Sequence, residues 1–132
     1  MLYEDDVGNA VVVYLRAEGW EIESTAPATQ HGDDTVATRN GERLLVKAKG
    51  EGSSKSHTKR FGQPFNPGQA STHIAVAVLR SMRVVSSGRA SAAIALPSVA
   101  SHQREVERVA PALSQIGIRV FWVHGDGNVS SQ

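Results

Sequence analysis

The sequence predicts an α/β fold: a central mixed sheet flanked by helices on both faces. Three observations carry that prediction. Val7, Val11 and Leu15 recur every four residues, the spacing of an amphipathic helix. Two strand-like runs, "DTVATR" and "ERLLVKAK", flank Asn40-Gly41, the preferred residue pair for a type I′ hairpin. Beyond Phe65, helical and strand-like apolar segments alternate, which builds parallel neighbours. The element order is α-β-β-β-α-β-α-β. At 132 residues the chain fits one domain, 1–132, around one core.

The first helix runs from Tyr3 to about Glu18, with Ala10 and Tyr14 beside its apolar stripe and Gly19 as a C-cap. "WEIEST", Trp20 to Thr25, is the first strand, and Pro27 ends it. With Asn40-Gly41 as the turn, Arg39 faces Glu42, Ala37 faces Leu44, Val36 faces Leu45, and Asp34 faces Lys47. Lys49 then lies diagonal to Asp34 on the same side, because residues two apart on a strand share a face. A Gly/Ser-rich, basic stretch follows from Gly50 to about Phe65, long enough to be either functional or mobile. Asn66 as N-cap and Pro67 at the first turn open a helix to about Arg83 that buries Ala70, Ile74, Ala77 and Val78. Gln69 and His73, four apart, share a side of it. "SAAIAL" is a buried strand stopped by Pro97. Val99, Val106, Val109, Ala110, Leu113 and Ile116 have helical spacing, with Pro111 kinking or splitting the segment and Gly117 capping it. "IRVFWV" is the last strand, and "HGDGN" a turn into a frayed end.

Composition excludes several function classes. The chain is 40% apolar and 20% charged, ordinary for a folded domain. Its net charge of +1 does not by itself call for a polyanion. The distribution says more: Arg39, Arg43, Lys47, Lys49, Lys55, Lys59 and Arg60 face only Glu42 and Glu51 between positions 39 and 60, a local +5. Such a patch suits phosphate contacts, and a solvated basic loop explains it equally well. Absence of cysteine rules out disulfides, thiol nucleophiles and zinc–thiolate sites. An acidic N-terminus without a long apolar run does not read as a signal peptide, and no stretch reaches membrane-spanning length, so the expected location is cytoplasmic with no membrane partner. "GEGSSKS" lacks the glycines a phosphate-binding P-loop needs, and "HGDGNVSSQ" lacks the alternating acids of a calcium loop. No nucleophile elbow supports a serine hydrolase. His31, His57, His73, His102 and His124 have no close metal spacing and read as surface or loop histidines, with His73 a secondary candidate if it faces a cleft shared with Gln69.

One constellation remains: Asp34, Lys47, Lys49, Glu4 and Gln69. An acid opens one hairpin strand, "LLVKAKG" closes the other, an acid sits in the preceding helix and a glutamine in the following one. This resembles the PD-(D/E)xK nuclease superfamily, whose restriction-endonuclease-like fold has the same α-β-β-β-α-β core order. The resemblance covers about Tyr3 to Val123, and "GDDTVATRNGERLLVKAKG" is its specific stretch. It implies Mg²⁺-dependent (or Mn²⁺-dependent) phosphodiester hydrolysis of nucleic acid. In such a site two carboxylates on neighbouring strands chelate the metal, which polarises a phosphate oxygen and activates water. The lysine two residues on stabilises developing charge.

On that resemblance Asp34 is the first acid and a metal ligand, with Asp33 an alternative if the register slips. Glu4 is the helix acid and a possible second ligand, Lys49 the motif lysine, and Gln69 the helix glutamine. Ser53, Ser54, Lys55, Lys59 and Arg60 would contact nucleic-acid phosphates, DNA ahead of RNA. The departure is Lys47, which stands where the superfamily carries Asp or Glu; a native lysine and an introduced Glu→Lys exchange read alike. Glu51, of the same strand parity, is the one nearby acid that could compensate. An ammonium at 47 pairs with Asp34 and repels a divalent cation, so the expectation is a weakened or absent metal site. The alternative reading is a non-catalytic nucleic-acid-binding module or a partner subunit, with a homodimer another possible route to specificity.

Overall fold

In a computed structural model the fold is described for residues 1–25, 35–52 and 63–132. Helix α1 (Glu4–Ala17) is followed by β1 (Glu21–Thr25), β2 (Thr35–Arg39), β3 (Glu42–Ala48), α2 (Pro67–Ser87), β4 (Ser91–Pro97), α3 (Ala100–Glu107), α4 (Ala110–Ile116), β5 (Ile118–Val123) and β6 (Val129–Ser131). Among the described residues one sheet carries six strands in chain order, β1 to β6. β3, β4 and β5 run parallel, and the remaining pairs are antiparallel. The α/β class with a mixed sheet between helices is therefore as expected.

Each local signal acts through a definite contact. Val7, Val11 and Leu15 are the buried residues of α1. They pack on the sheet face formed by Ala37, Leu44, Val46, Ala48, Ala93, Ala95, Phe121 and Val123. The opposite face carries Ala92, Ile94, Leu96, Ile118, Val120 and Trp122, under Ile74 and Ala77 of α2, Val106 of α3 and Leu113 of α4. β4 is the central strand, and its alanines let helices approach from both sides. Asn40 and Gly41 have φ of 50° and 81°, the left-handed values that a type I′ turn demands. The hairpin register is the expected one, from Arg39 opposite Glu42 to Thr35 opposite Val46.

Four details differ from the sequence reading. α2 continues to Ser87, past Arg83, and stops at Gly88 with φ 70°. In it Ser81 is buried, and Val78 is only partly so. Pro111 splits rather than kinks its segment, so Val109 and Ile116 fall off the common stripe and are exposed. The C-terminus is not frayed. Asp126 accepts hydrogen bonds from Asn128 (2.9 and 2.8 Å), Gly127 takes φ 88°, and β6 returns along β5. The indole of Trp122 donates to the Gln132 side chain at 2.7 Å and fastens that end.

At the N-terminal ends of the parallel strands, Glu42 accepts from Ser91 Oγ (2.8 Å) and Arg119 Nη2 (2.7 Å), joining β3, β4 and β5. Both charged groups are about one-third exposed, which limits the gain. Glu42→Ala is expected to lower stability by about 1 kcal/mol, read as a reduced urea midpoint with unchanged slope.

Candidate functional site at the C-terminal ends of the parallel strands

The end of β3 is built by four neighbours. Lys49 N–H donates to the Ala95 carbonyl (3.0 Å), extending the parallel pairing with β4 one residue past the strand. Glu51 N–H donates to the Leu2 carbonyl (2.9 Å), and Leu2 N–H returns to Glu51 Oε1 (2.6 Å). Phe65 N–H donates to the Glu51 carbonyl (2.6 Å). Between them Gly50 lies against the start of α1. A Cβ there would stand 2.5 Å from Glu4 N and 2.8 Å from the Tyr3 carbonyl carbon, so only glycine fits. Asp6 holds the helix start in place by accepting from Tyr3 N–H at 2.8 Å. Glu4, 46 positions away in sequence from Gly50, is thereby delivered to the end of β3.

Strand parity sets the two lysines. Val46 and Ala48 point into the α1-side core, and Lys47 is in register with Ile94, which faces α2. Lys47 is only 7% exposed. Lys49 is half-buried and close enough to His73 of α2 to act on its charge. Burial is the main cause holding His73 below the ordinary histidine value, followed by the Lys49 ammonium and then by His102. His73 stacks on Phe65, with ring centres 4.3 Å apart and planes 20° apart. Gln69 forms a reciprocal cap with Asn66: its Oε1 accepts from Asn66 N–H (3.0 Å), while Asn66 Oδ1 accepts from Gln69 N–H (2.9 Å). The oxygen that would have oriented a ligand is thus engaged at the helix start.

His102 corrects the sequence reading. It is 1% exposed, on the buried side of α3 with Val106, rather than a surface residue. Its position four residues before Val106 was the signal available in the sequence. Nδ1 lies 3.1 Å from Ser101 Oγ. Burial lowers the ring's pKa, and the Gly50 backbone and the Glu51 carboxylate partly oppose that. His124, by contrast, is exposed as expected.

Glu4, Lys49, Glu51, His73 and His102 therefore gather around one end of the sheet, with Lys47 buried just behind. Asp33, Asp34, Ser53, Ser54, Lys55, Lys59 and Arg60, together with His31 and His57, lie outside the described residues. Among the described residues no group of three or more His, Asp or Glu side chains is arranged to hold a metal ion. No described helix is long and apolar enough to cross a membrane.

The fold is shared with a solved structure. An fdxN element excision controlling factor protein from Anabaena variabilis superposes with a TM-score of 0.58 at 12% identity, over 96% of each chain. SfsA from Pyrococcus furiosus, solved in complex with Ca²⁺, matches with a TM-score of 0.44 at 13% identity, over 98% of this chain and 59% of that one. No protein-family model and no curated protein matches the chain.

Two outcomes are expected. Gly50→Ala forces two backbones apart and should cost about 1–3 kcal/mol, seen as a lowered melting temperature. Because His73 and His102 have pKa values below the ordinary 6.5, the folded protein binds fewer protons than the unfolded chain. The stability this provides is complete above that value and is lost as pH falls through the lowered pKa values. The urea midpoint should drop between pH 7.5 and pH 5.5, and His73→Gln with His102→Gln should flatten the dependence.

Proposed function

We propose that this chain is a nucleic-acid-binding domain on a nuclease-like fold, in which Lys47 replaces the divalent metal of a phosphodiesterase site. The observation that carries the reading is the buried Lys47 side chain in the position where the PD-(D/E)xK pattern needs an acid. The hairpin register seen from Arg39–Glu42 to Thr35–Val46 is the one that the pairing of Asp34 with Lys47 requires. Opposite charges about 4 Å apart gain about 4 kcal/mol at an effective dielectric of 20, before desolvation. The ammonium thus satisfies the acid and repels Mg²⁺ or Mn²⁺. The described donor set does not fit such an ion, since Glu51 is engaged by Leu2 and Gln69 by Asn66.

What remains suits phosphate. Lys49 stands at the end of β3 with His73 and His102 near it, and Lys55, Lys59 and Arg60 follow in sequence to supply backbone contacts. The partner is DNA ahead of RNA, in keeping with a fold neighbour named for controlling excision of the fdxN element. Asp34 and Glu4 are the carboxylates that a restored site would use for metal.

The test compares this chain with Lys47→Glu in cleavage assays on plasmid and single-stranded DNA with Mg²⁺ or Mn²⁺. The chain as it stands should bind DNA with an affinity that falls steeply with salt and should not cleave. Lys47→Glu should cleave, and adding Asp34→Ala should abolish that. Absence of DNA binding at low salt would sink the reading in favour of a protein-binding subunit.

A further inference from the structure

The end of the sheet opposite Lys49 gathers two cations on one aromatic ring. The Arg39 guanidinium carbon lies 4.4 Å from the Trp20 ring centroid, and that of Arg119 lies 5.7 Å from it. Both distances fall within the reach of a cation–π contact. Trp20 is 5% exposed and belongs to the α1-side core, so the indole is a fixed wall rather than a surface flap. Arg39 ends β2 and Arg119 stands near the start of β5, 80 positions later, so the fold brings the pair together. Both line a cavity of about 230 Å³, shared with Tyr14 of α1, Glu18 at its C-cap and Ser131 of β6.

Like charges held beside one ring repel, and each guanidinium has five N–H donors to satisfy. Arg39 Nη1 donates to the Glu18 carbonyl oxygen at 2.8 Å, and Arg119 Nη2 to the Glu42 carboxylate at 2.7 Å. The Glu42 oxygen that receives Arg119 also accepts from Ser91. Glu18, the acid of the cavity lining, is exposed and offers Arg39 its main chain. Two planar guanidiniums braced on an indole, with the hydroxyl-bearing Tyr14 and Ser131 in the same lining, are a donor set for a tetrahedral oxyanion. The cavity is smaller than the roughly 300–1,000 Å³ of pockets that enclose a whole organic ligand, so it suits the anionic group alone. We propose that Arg39 and Arg119, braced on Trp20, form a binding site for a phosphate monoester dianion, supplied as free phosphate or as the terminal phosphate of a nucleic-acid strand. Two cations match a dianion better than the single charge of a phosphodiester. The site is separate from the Lys49 rim: Glu42, the strand partner of Arg39, is seven residues from Lys49, roughly 23 Å of extended chain. It therefore stands without the nucleic-acid reading of that rim.

Nuclear magnetic resonance of the full chain, titrated with sodium phosphate at pH 7.5 and constant ionic strength, tests the site. The Trp20 indole N–H and the Nε–H signals of Arg39 and Arg119 should shift together and saturate. The indole of Trp122, on the opposite sheet face, should stay in place. Arg39→Gln should weaken the affinity at least about fivefold, and Glu18→Gln, which removes the acid of the lining, should tighten it about two- to threefold. Arg119→Gln should weaken it as well; because that change also releases Glu42, the Arg39 and Glu18 variants decide if it fails to fold. Shifts that do not saturate, that sodium chloride reproduces, or that survive Arg39→Gln overturn the proposal. A single-stranded tetranucleotide with and without a 5′-phosphate separates the two sources. Shifts with the phosphorylated form alone assign strand ends, and shifts with inorganic phosphate but neither oligonucleotide assign the free ion. Equal shifts with both oligonucleotides mean that a phosphodiester suffices and overturn the dianion assignment.

Discussion

The site depends on the place where two backbones meet with no side chain between them. Gly50 lies two residues past the hairpin's second strand, and the first peptide units of α1 lie directly on it. The helix is held there by its buried stripe, Val7, Val11 and Leu15, anchored in the core below. The contact is therefore an extension of ordinary hydrophobic packing to the rim of the sheet. It brings Leu2 within reach of Glu51 and places the Glu4 backbone against Gly50. A residue with a side chain at 50 would lift the helix start and scatter these groups, although none of the core contacts involves Gly50 itself.

Two chemistries compete at that rim. On the proposed reading, a metal site would draw on the carboxylates of Asp34 and Glu4. The described part of the structure offers cationic and nitrogen groups instead: Lys47 buried, Lys49 half-buried, and two histidines whose pKa values burial chiefly lowers. Burying an ammonium is costly without a partner, so Lys47 constrains whatever sits opposite it. On the proposed reading, the side chain at position 47 determines whether this frame attracts a metal or a phosphate. The neutral histidines matter for the same reason, since more fixed positive charge next to Lys49 would work against folding.

Much of this frame was legible from the residues. The hairpin register followed from Asn40-Gly41 alone, because only positive φ at both positions closes a two-residue turn of that twist. The start of α2 followed from Asn66-Pro67, and the buried side of α1 from three apolar residues at one spacing. What escaped did so because it depends on partners distant in the chain. β6 is three residues long, two of them serines, and it is a strand only because β5 offers an edge. His102 is polar, so it did not count toward an apolar stripe, although Val106 marks its face as buried. The engagement of Gln69 was written in the sequence, as a glutamine three residues after an N-cap asparagine, but that motif competes with a ligand-orienting role and the sequence favours neither. The acids and the basic stretch that complete the sequence argument fall outside the described residues, so the proposed pairing of Asp34 with Lys47 rests on register.

The strand order has a bearing on how the molecule comes into being. Every strand of the sheet lies beside the strands that precede and follow it along the chain, so none has to be inserted between two already paired. Such a sheet can grow by accretion: the tight hairpin closes first over a short loop, and later segments dock outward onto an exposed edge. Assembly of the rim then comes only after α2 and β4 have been laid down, since Lys49 needs Ala95 as its neighbour. A nascent chain released before β4 would carry Lys47 and Lys49 on an open margin, without the strand that seats them.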